Sequence, residues 1–183
     1  LPLLSVTDNS GSYAKNYYDK NGNTVKVESL RETGKYDVVK YEYDLQNRLT
    51  ATITLADEDD LFNVSSLPNI ENLRDDEYAG RIRLITGYEY DILGNRTKEI
   101  LPEAYGFTEE DTASRNKYTV RYTYDDLNRG EKVIRPYNDT EVYIQYWYDE
   151  VGNRVKSRNE RGFETLYAYD GMNRLISLKD PEG

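Results

Sequence analysis

Apolar and polar residues alternate with a period of two along most of this chain, and each alternating run ends in a tyrosine. The residues inside the alternation are mostly polar, such as Lys40, Glu42 and Arg121. This pattern is typical of a β-strand with one buried face and one solvated face. We therefore expect the tyrosine rows to form the core of a sheet. The rows are Val39-Tyr41-Tyr43, Thr86-Tyr88-Tyr90, Val120-Tyr122-Tyr124, Ile144-Tyr146-Tyr148 and Thr165-Tyr167-Tyr169.

The alternation resumes a few residues after each tyrosine, most clearly in Leu49-Ala51-Ile53-Leu55. A strand, a tight turn and a second strand make a β-hairpin. Further turn-forming segments at 32–34, 159–162 and 180–183 join one hairpin to the next. The sequence therefore predicts an all-β fold, an antiparallel meander of repeated β-hairpins that forms a curved, twisted sheet.

The hairpins are copies of one unit, and the whole of 1–183 is interpreted as a single partial array. The copies lie near 16–24, 41–49, 88–96, 122–130, 146–154 and 167–175, about 21–25 residues apart in the shorter intervals. Two longer intervals contain insertions at 56–80 and 102–117. Both insertions are acidic and rich in turn formers, which predicts excursions outside the sheet, each with room for a short helical turn.

Each unit carries an aspartate directly after its tyrosine, and this aspartate is expected to close the turn by accepting amide hydrogen bonds. Three residues after the aspartate stands either glycine or asparagine. These two residues tolerate a positive φ best, so the pattern predicts a type I turn followed by a left-handed residue in a G1 bulge. The positions are Gly22, Asn47, Gly94, Asn128, Gly152 and Asn173.

The turns fall into two classes that alternate strictly along the chain. The form YDxxGN occurs at Tyr18, Tyr90 and Tyr148, and YDxxNR occurs at Tyr43, Tyr124 and Tyr169. Aligned on the basic residue, the first class carries one extra residue in the turn, which would reverse the faces of the following strand unless a bulge absorbs it. We infer that neighbouring hairpins have different environments and that the structural period is a pair of hairpins.

The amino-acid composition disfavours or excludes several classes of function. The 183 residues include 19 tyrosines, the mean hydropathy is −0.88, and 34 acidic against 24 basic residues give a net charge of −10. This charge disfavours binding to nucleic acid or anionic membranes, because such binding depends on lysine and arginine. Neither cysteine nor histidine is present, which excludes disulfides and Ser-His-Asp or Cys-His catalysis. No apolar run is long enough to span a bilayer.

The repeated residues resemble the YD repeats of the Rhs family, which occur in bacterial polymorphic toxin shells, cage components of insecticidal toxin complexes, wall-associated proteins and teneurins. The segments Tyr41–Leu49 and Tyr167–Leu175 match the family pattern well. The resemblance implies a β-sheet ribbon that spirals into a hollow shell, of which this chain is one wall segment. Because the chain starts at Leu1 and stops at Gly183, inside an expected turn, we expect a piece of a longer protein.

The function implied by this resemblance is structural: a non-enzymatic scaffold in a large secreted or surface-displayed bacterial protein, which encloses or presents a toxin or other effector domain. Its expected partners are further YD repeats of the parent chain and an enclosed C-terminal domain. No cofactor and no membrane span are expected. Open sheet edges would also favour edge-to-edge self-association of the isolated segment.

The repeat residues are therefore assigned structural roles rather than catalytic, cofactor-binding or metal-binding ones. Six scattered copies do not make a catalytic site, which needs a few groups that converge. Tyrosine packs in rows, aspartate caps the turn, and arginine packs along the tyrosine rings. The candidates are Tyr41, Tyr43, Asp44, Asn47, Arg48, Tyr88, Tyr90, Asp91, Gly94, Arg96, Tyr122, Tyr124, Asp125, Asn128, Arg129, Tyr146, Tyr148, Asp149, Gly152, Arg154, Tyr167, Tyr169, Asp170, Asn173 and Arg174.

Two other functions stay open on the sequence alone. Outward-facing tyrosine rows would make a carbohydrate-binding or cell-surface-binding module, although aromatic stacking between neighbouring strands explains the same spacing. A carboxylate enzyme is the second alternative, with the acidic run Asp57–Asp60 as a site for an ion. This run lacks the glycine and the distal glutamate of an EF-hand loop, so a surface loop is the preferred interpretation. Asp180–Gly183 is interpreted as the next turn between hairpins.

Overall fold

A computed structural model describes residues 3–7, 13–32, 35–57, 70–75, 77, 80–138 and 140–180. The described chain is almost entirely β-structure, and its strands are β1 (Leu3–Thr7), β2 (Tyr13–Tyr18), β3 (Thr24–Glu32), β4 (Lys35–Tyr43), β5 (Leu49–Asp57), β6 (Arg81–Tyr90), β7 (Arg96–Ile100), β8 (Thr119–Tyr124), β9 (Gly130–Tyr137), β10 (Thr140–Tyr148), β11 (Arg154–Arg158), β12 (Glu164–Tyr169) and β13 (Leu175–Lys179). No helix in these described ranges is long and apolar enough to cross a membrane.

The chain divides into two compact units. Unit 1 contains Leu1–Glu89 and Glu99–Tyr118, and unit 2 contains Tyr90–Lys98 and Thr119–Gly183. In unit 1, β1 to β6 pair antiparallel, each with its neighbour in sequence. In unit 2, β8 to β13 pair in the same way. The predicted all-β antiparallel meander of hairpins is confirmed.

The two insertions form short helical turns, as predicted. A 3₁₀ helix spans Ile70–Leu73 in the first, while the second contains a 3₁₀ helix at Pro102–Gly106 and the helix α1 at Thr112–Asn116. The carboxylate of Asp111 caps α1 by accepting from the Ser114 amide at 3.1 Å. Strand β5 continues through Asp57, two residues into the segment expected to leave the sheet.

A β-bulge lies at the end of five motif strands, β2, β4, β8, β10 and β12, and the pairing before it shows which residues share a face. In the hairpin of β4 and β5, Tyr41 lies opposite Thr52 and Val38 lies opposite Leu55, and the register shifts between Glu42 and Tyr43. Opposed residues of an antiparallel pair lie on the same face. The row that ends in Leu55 therefore lies on the face opposite to Tyr41. We call these the Leu55 face and the tyrosine face of unit 1.

The interior of unit 1 includes the Leu55 face, so the expectation that the tyrosine rows form the core is wrong there. Val38, Ala51 and Leu55 are buried on this face, and the insertions add the buried side chains of Leu73 and Ala104. The motif tyrosines are only half-buried.

Both insertions contact the Leu55 face. Lys40 lies on this face, opposite Ile53, and its Nζ is 2.7 Å from a Glu77 carboxylate oxygen in the first insertion. Gly87 lies on the same face, opposite Ala51, and the Tyr105 hydroxyl of the second insertion lies against it. The insertions are thus excursions from the sheet that fold back onto it.

Candidate functional site

The six repeated turns share one backbone geometry, and we number them T1 to T6 by their aspartates. In every turn the aspartate N–H donates to the carbonyl of the residue four positions later, at 2.9–3.0 Å. The N–H of the residue three positions later donates to the aspartate carbonyl, at 2.8–3.3 Å. The aspartates are Asp19 (T1), Asp44 (T2), Asp91 (T3), Asp125 (T4), Asp149 (T5) and Asp170 (T6).

The predicted left-handed residues are confirmed. Asn47, Asn128 and Asn173 have φ of 60°, 64° and 60°. The glycines of the alternating turns, Gly22, Gly94 and Gly152, have φ between 89° and 96°. The register shift beside the motif tyrosine in T1, T2, T4, T5 and T6 is the bulge that this geometry requires.

The aspartate side chain closes the turn with three hydrogen bonds. In T4, the Asp125 Oδ1 accepts from the amides of Leu127 and Arg129 at 3.0 and 2.8 Å, and its Oδ2 accepts from the Arg129 Nε at 2.7 Å. In T5, the amide of Asn153 and its Nδ2 occupy the same two positions on Asp149, at 2.8 and 2.9 Å. Asparagine and arginine are therefore equivalent at this position.

This equivalence corrects the prediction of two turn lengths. The motif tyrosine pairs with the residue six positions later in both classes, for example Tyr124 with Gly130 and Tyr148 with Arg154. The turns are equally long, and only the residue that serves the aspartate differs. Sequence reasoning missed this residue because it aligned the turns on arginine rather than on distance from the aspartate. The six are Asn23, Asn95 and Asn153, which donate through Nδ2, and Arg48, Arg129 and Arg174, which donate through Nε.

These donors lower the pKa of every turn aspartate. Side-chain donation is the main cause at T1, T3 and T6, from Asn23, Asn95 and Arg174, and backbone donation is the main cause at T2 and T4. At Asp149 desolvation is the largest influence and acts to raise the pKa, but the Asn153 hydrogen bonds still leave it lowered. A carboxylate saturated with donors is a structural cap and a poor proton acceptor.

The arginines of the returning strands pack on tyrosine rings, as predicted. Arg96 lies 4.9 Å from the ring centroid of Tyr122, and Arg154 lies 5.2 Å from those of both Tyr146 and Tyr167. The stacked aromatic pair that the structure describes, Phe107 with Tyr118, lies outside the motif, so these contacts of the rows are cation–π contacts rather than ring-on-ring stacking.

Four of the tyrosines that precede a turn aspartate also bond the previous hairpin. The Tyr148 hydroxyl donates to the Gly130 carbonyl at 2.9 Å, and Gly130 lies six residues after the preceding motif tyrosine. The same bond recurs in both units, as Tyr43 to Thr24, Tyr124 to Arg96 and Tyr169 to Arg154. Sequence reasoning missed this role, although the preference for tyrosine over phenylalanine at all six positions indicates that the hydroxyl is used.

Within each unit, side-chain hydrogen bonds join neighbouring turns. In unit 1, the Asn23 Nδ2 of T1 donates to the Asn47 Oδ1 of T2 at 2.8 Å. In unit 2, the corresponding asparagine of T3 donates to Asn128 of T4, and that of T5 donates to Asn173 of T6 at 3.0 Å. Between T4 and T5 the link is different, because the Arg129 Nη1 donates to the Asp149 carbonyl at 2.9 Å.

The acidic run expected as a possible ion site is only partly described. Asp57 ends β5 and accepts hydrogen bonds from Arg31 and Arg81, each at 2.9 Å, so its carboxylate oxygens are engaged by guanidinium groups. The other three residues of the run, and 181–183 of the last expected turn, lie outside the described residues. Within the described ranges no group of acidic residues has the geometry of a metal site.

We compared the chain with models of protein families and with solved structures, and both comparisons found matches. Residues 148–183, which contain T5 and T6, match the family model of the RHS repeat. The crystal structure of TcdB2-TccC3-Cdc42 matches over 91% of this chain with a TM-score of 0.61 and 16% identity. The structure of TcdB2-TccC3 without its hypervariable C-terminal region matches equally well, with 17% identity.

This chain spans about 7% of the length of those matched chains. No curated protein sequence matches it significantly. The structural matches, at this identity, show the shared fold. The turn that the RHS-repeat model matches at T5 and T6 has the same aspartate cap as the turns T1 to T4, so the match at 148–183 supports the resemblance to YD, or Rhs, repeats that the sequence predicts.

Proposed function

We propose that this chain is a wall segment of a large YD/Rhs-repeat protein whose shell encloses or presents a toxin or other effector domain. The observation that carries the proposal is that motif side chains form hydrogen bonds with the neighbouring hairpins. Tyr148 bonds the strand before it, and Arg129 bonds the turn after it. Such residues extend an array rather than hold a ligand.

The non-enzymatic part of the proposal rests on the state of the repeated carboxylates. Each turn aspartate accepts hydrogen bonds from its own turn, and its pKa is lowered, whereas a general acid or base needs a pKa closer to neutrality and an open path to substrate. In the proposal the acidic residues of the motif act as turn caps. The proposed setting is a secreted or surface-displayed bacterial protein, like the toxin-complex proteins whose fold the chain shares.

The contacts of the tyrosine rows favour the scaffold over a carbohydrate-binding module. A sugar stacks on the open face of an aromatic ring, but guanidinium groups lie over the rings of Tyr122, Tyr146, Tyr148 and Tyr167. The hydroxyls of Tyr43, Tyr124, Tyr148 and Tyr169 donate to backbone carbonyls. We therefore retain the wall segment as the single proposed function.

The proposal is tested in the longer protein that carries this chain. Tyr124→Ala combined with Tyr148→Ala removes two links between consecutive hairpins, whereas Tyr137→Ala changes an exposed ring outside the motif and serves as the control. Limited proteolysis with mass spectrometry then follows cleavage of the domain that the shell encloses. We expect protection in the parent and the control, and cleavage in the double variant. If the parent's effector domain is cut as fast as the same domain expressed alone, the chain is not a wall.

A further inference from the structure

T1 differs from the other repeated turns in the residue that precedes its left-handed position. This residue is Asn21, which stands before Gly22, whereas the apolar Leu93 and Val151 precede the glycines of T3 and T5. Asn21-Gly22 is the one Asn-Gly pair of the sequence, because every other asparagine is followed by a residue that carries a side chain. T1 therefore joins two residues that react with each other more readily than any other pair in the repeated turns.

An asparagine followed by glycine can lose its side-chain amide without an enzyme. The main-chain nitrogen of the glycine, once hydroxide has removed its proton, attacks the asparagine Cγ, and the Nδ2 takes a proton from water and leaves as ammonia. Water then opens the resulting succinimide ring at either carbonyl and gives aspartate or isoaspartate. Glycine favours this reaction, because it has no Cβ to hinder the attack and permits the rotation of the main chain that the ring requires.

The surroundings of this pair leave room for the ring. Asn21 and Gly22 are both exposed, and a Cβ built on Gly22 would meet nothing within 4 Å. The Gly22 N–H, whose nitrogen is the attacking atom, donates to the Asp19 carbonyl at 3.3 Å, and this is the longest of the six corresponding turn bonds. The attacking nitrogen is thus held less closely in T1 than in the other turns.

The leaving amide, in contrast, is held by the next turn. The Asn21 Nδ2 donates to the Asn47 Oδ1 of T2 at 2.9 Å, beside the Asn23 Nδ2, which donates to the same oxygen at 2.8 Å. Ring closure turns the side chain and the main chain of Asn21 towards each other. The hydrogen bond to Asn47 therefore has to open before the reaction can begin.

We propose that Asn21 is a site of spontaneous deamidation and that Asn47 of the adjacent turn slows the reaction by holding the Asn21 amide. The rate of deamidation then reports whether T1 and T2 are in contact. The inference concerns the chemistry of one pair of turns in unit 1, so it goes beyond the wall role and does not depend on what a shell encloses.

The products weaken the contact that slows the reaction. Either product replaces Nδ2 by a carboxylate oxygen, which cannot donate to the Asn47 Oδ1. The new charge also lies close to Asp19, whose Oδ1 accepts from the Asn21 main-chain N–H at 2.8 Å. In isoaspartate the main chain gains one carbon atom between residues 21 and 22, which changes the spacing of the turn bonds. Deamidation therefore loosens T1 from T2.

The first test follows the modification in the full chain. The protein is incubated at mildly alkaline pH and digested with trypsin, and the peptide of residues 21–26 is then analysed by tandem mass spectrometry, which distinguishes Asn21 from Asn23. A free peptide of residues 18–26 gives the rate without the fold. We expect Asn21 to gain about one dalton, more slowly in the chain than in the free peptide and faster as the pH rises. Asn21→Gln should abolish the gain.

The second test removes the restraint. Asn47→Gly deletes the accepting oxygen and suits a left-handed position, which is glycine in T1, T3 and T5. The rate at Asn21 should rise about two- to tenfold, the factor expected for the release of one hydrogen bond. Asn128→Gly makes the same change in T4 of unit 2 and is the matched control, in which the rate at Asn21 should stay the same. Asn47→Asp keeps an accepting oxygen and should keep the slow rate.

Several results would overturn the proposal. If Asn21 stays unmodified in the chain after the free peptide has reacted completely, it is not a modification site. A rate in the chain equal to that of the free peptide, or a rate that Asn47→Gly leaves unchanged, would show that Asn47 does not restrain the reaction. Circular dichroism checks that the variants are folded. If Asn47→Gly does not fold, the comparison of the chain with the free peptide decides.

Discussion

Gly87 on β6 lies where the second insertion comes closest to the sheet, and it offers the sharpest test of how unit 1 is packed. A Cβ built at this position would lie 2.0 Å from the Tyr105 hydroxyl oxygen, 3.2 Å from its ring carbon Cζ and 3.6 Å from the Ile100 Cβ. Burial raises the pKa of Tyr105, and the Arg115 guanidinium lies 5.2 Å from its ring centroid. The ring is therefore confined, and a methyl group at 87 must displace it or the strand.

The expected cost follows from these distances. Overpacking a well-packed site costs about 1–3 kcal/mol, and replacing glycine by alanine returns about 0.4–1 kcal/mol by restricting the unfolded chain. We therefore expect Gly87→Ala to lower the free energy of unfolding by about 1–2 kcal/mol. Tyr105→Phe removes only the oxygen at 2.0 Å, so in that background a small ring movement accommodates the methyl group and the cost should fall below about 0.5 kcal/mol.

Urea unfolding followed by far-ultraviolet circular dichroism on the parent, both single variants and the double variant completes a thermodynamic cycle. Gly130→Ala is the matched control, since a Cβ there meets nothing within 4 Å, and its effect should be small. Equal costs of Gly87→Ala with tyrosine and with phenylalanine at 105 would refute the reasoning. A cost at Gly130 as large as that at Gly87 would show that the strand, and not the tyrosine, is responsible.

Three further predictions separate the core, the hydroxyl links and the turn caps. Leu55→Ala should cost about 2–5 kcal/mol of unfolding free energy, because Leu55 is 3% exposed, and a loss below about 1 kcal/mol would contradict the position of the core. Tyr148→Phe should cost about 1 kcal/mol through its hydroxyl bond to Gly130, and no measurable cost would show that the link is not stabilising. The pKa of Asp125 is lowered on folding, so its stabilisation is present above the unfolded value near 4 and is lost as the pH falls through the lower folded value. Asp125→Asn should therefore destabilise at pH 7 and lose its effect in acid, whereas Asp126→Asn, at an exposed neighbour, should be nearly silent at both.

The local features of this fold were predictable because each is set by a few adjacent residues. Asparagine at 47, 128 and 173 adopts a positive φ because the turn demands a left-handed residue, and the sequence offers glycine or asparagine at that place in every copy. The order of the strands follows from short connections, since hairpins joined by tight turns pair with their neighbours in sequence. The cation–π contact of Arg96 with Tyr122 was likewise predictable from the recurrence of the two residue types.

The buried face of unit 1 was not predictable from the alternation, because the pattern has the same period on both faces. The bulge beside Tyr43 places the row of Leu55 opposite to the row of Tyr41, and the alternation alone does not show on which side of the sheet each insertion lies. The contacts of the insertions with the Leu55 face, from Glu77 to Lys40 and from Tyr105 to Gly87, lie in the tertiary structure and not in the alternation. Glu77 and Tyr105 belong to segments whose composition indicated excursions from the sheet, and no local signal in these segments specifies the face that they contact.

The alternation of the two turn classes was predicted correctly from the sequence, but the predicted cause, a difference in turn length, was wrong. The YDxxGN and YDxxNR turns do alternate along the chain, but alignment on arginine made this alternation look like a difference in turn length. Aligned on the aspartate, each turn needs one donor for Oδ2 four residues later, and both asparagine and arginine reach it. Both side chains have further N–H groups besides the one that donates to the aspartate, and those of arginine lie farther from the backbone. Asn153 also donates from Nδ2 to the side-chain oxygen of Asn173 in the next turn, whereas Arg129 donates from Nη1 to the main-chain carbonyl of Asp149. Neighbouring hairpins of unit 2 therefore differ in the side-chain donor that joins their turns, and not by an added residue.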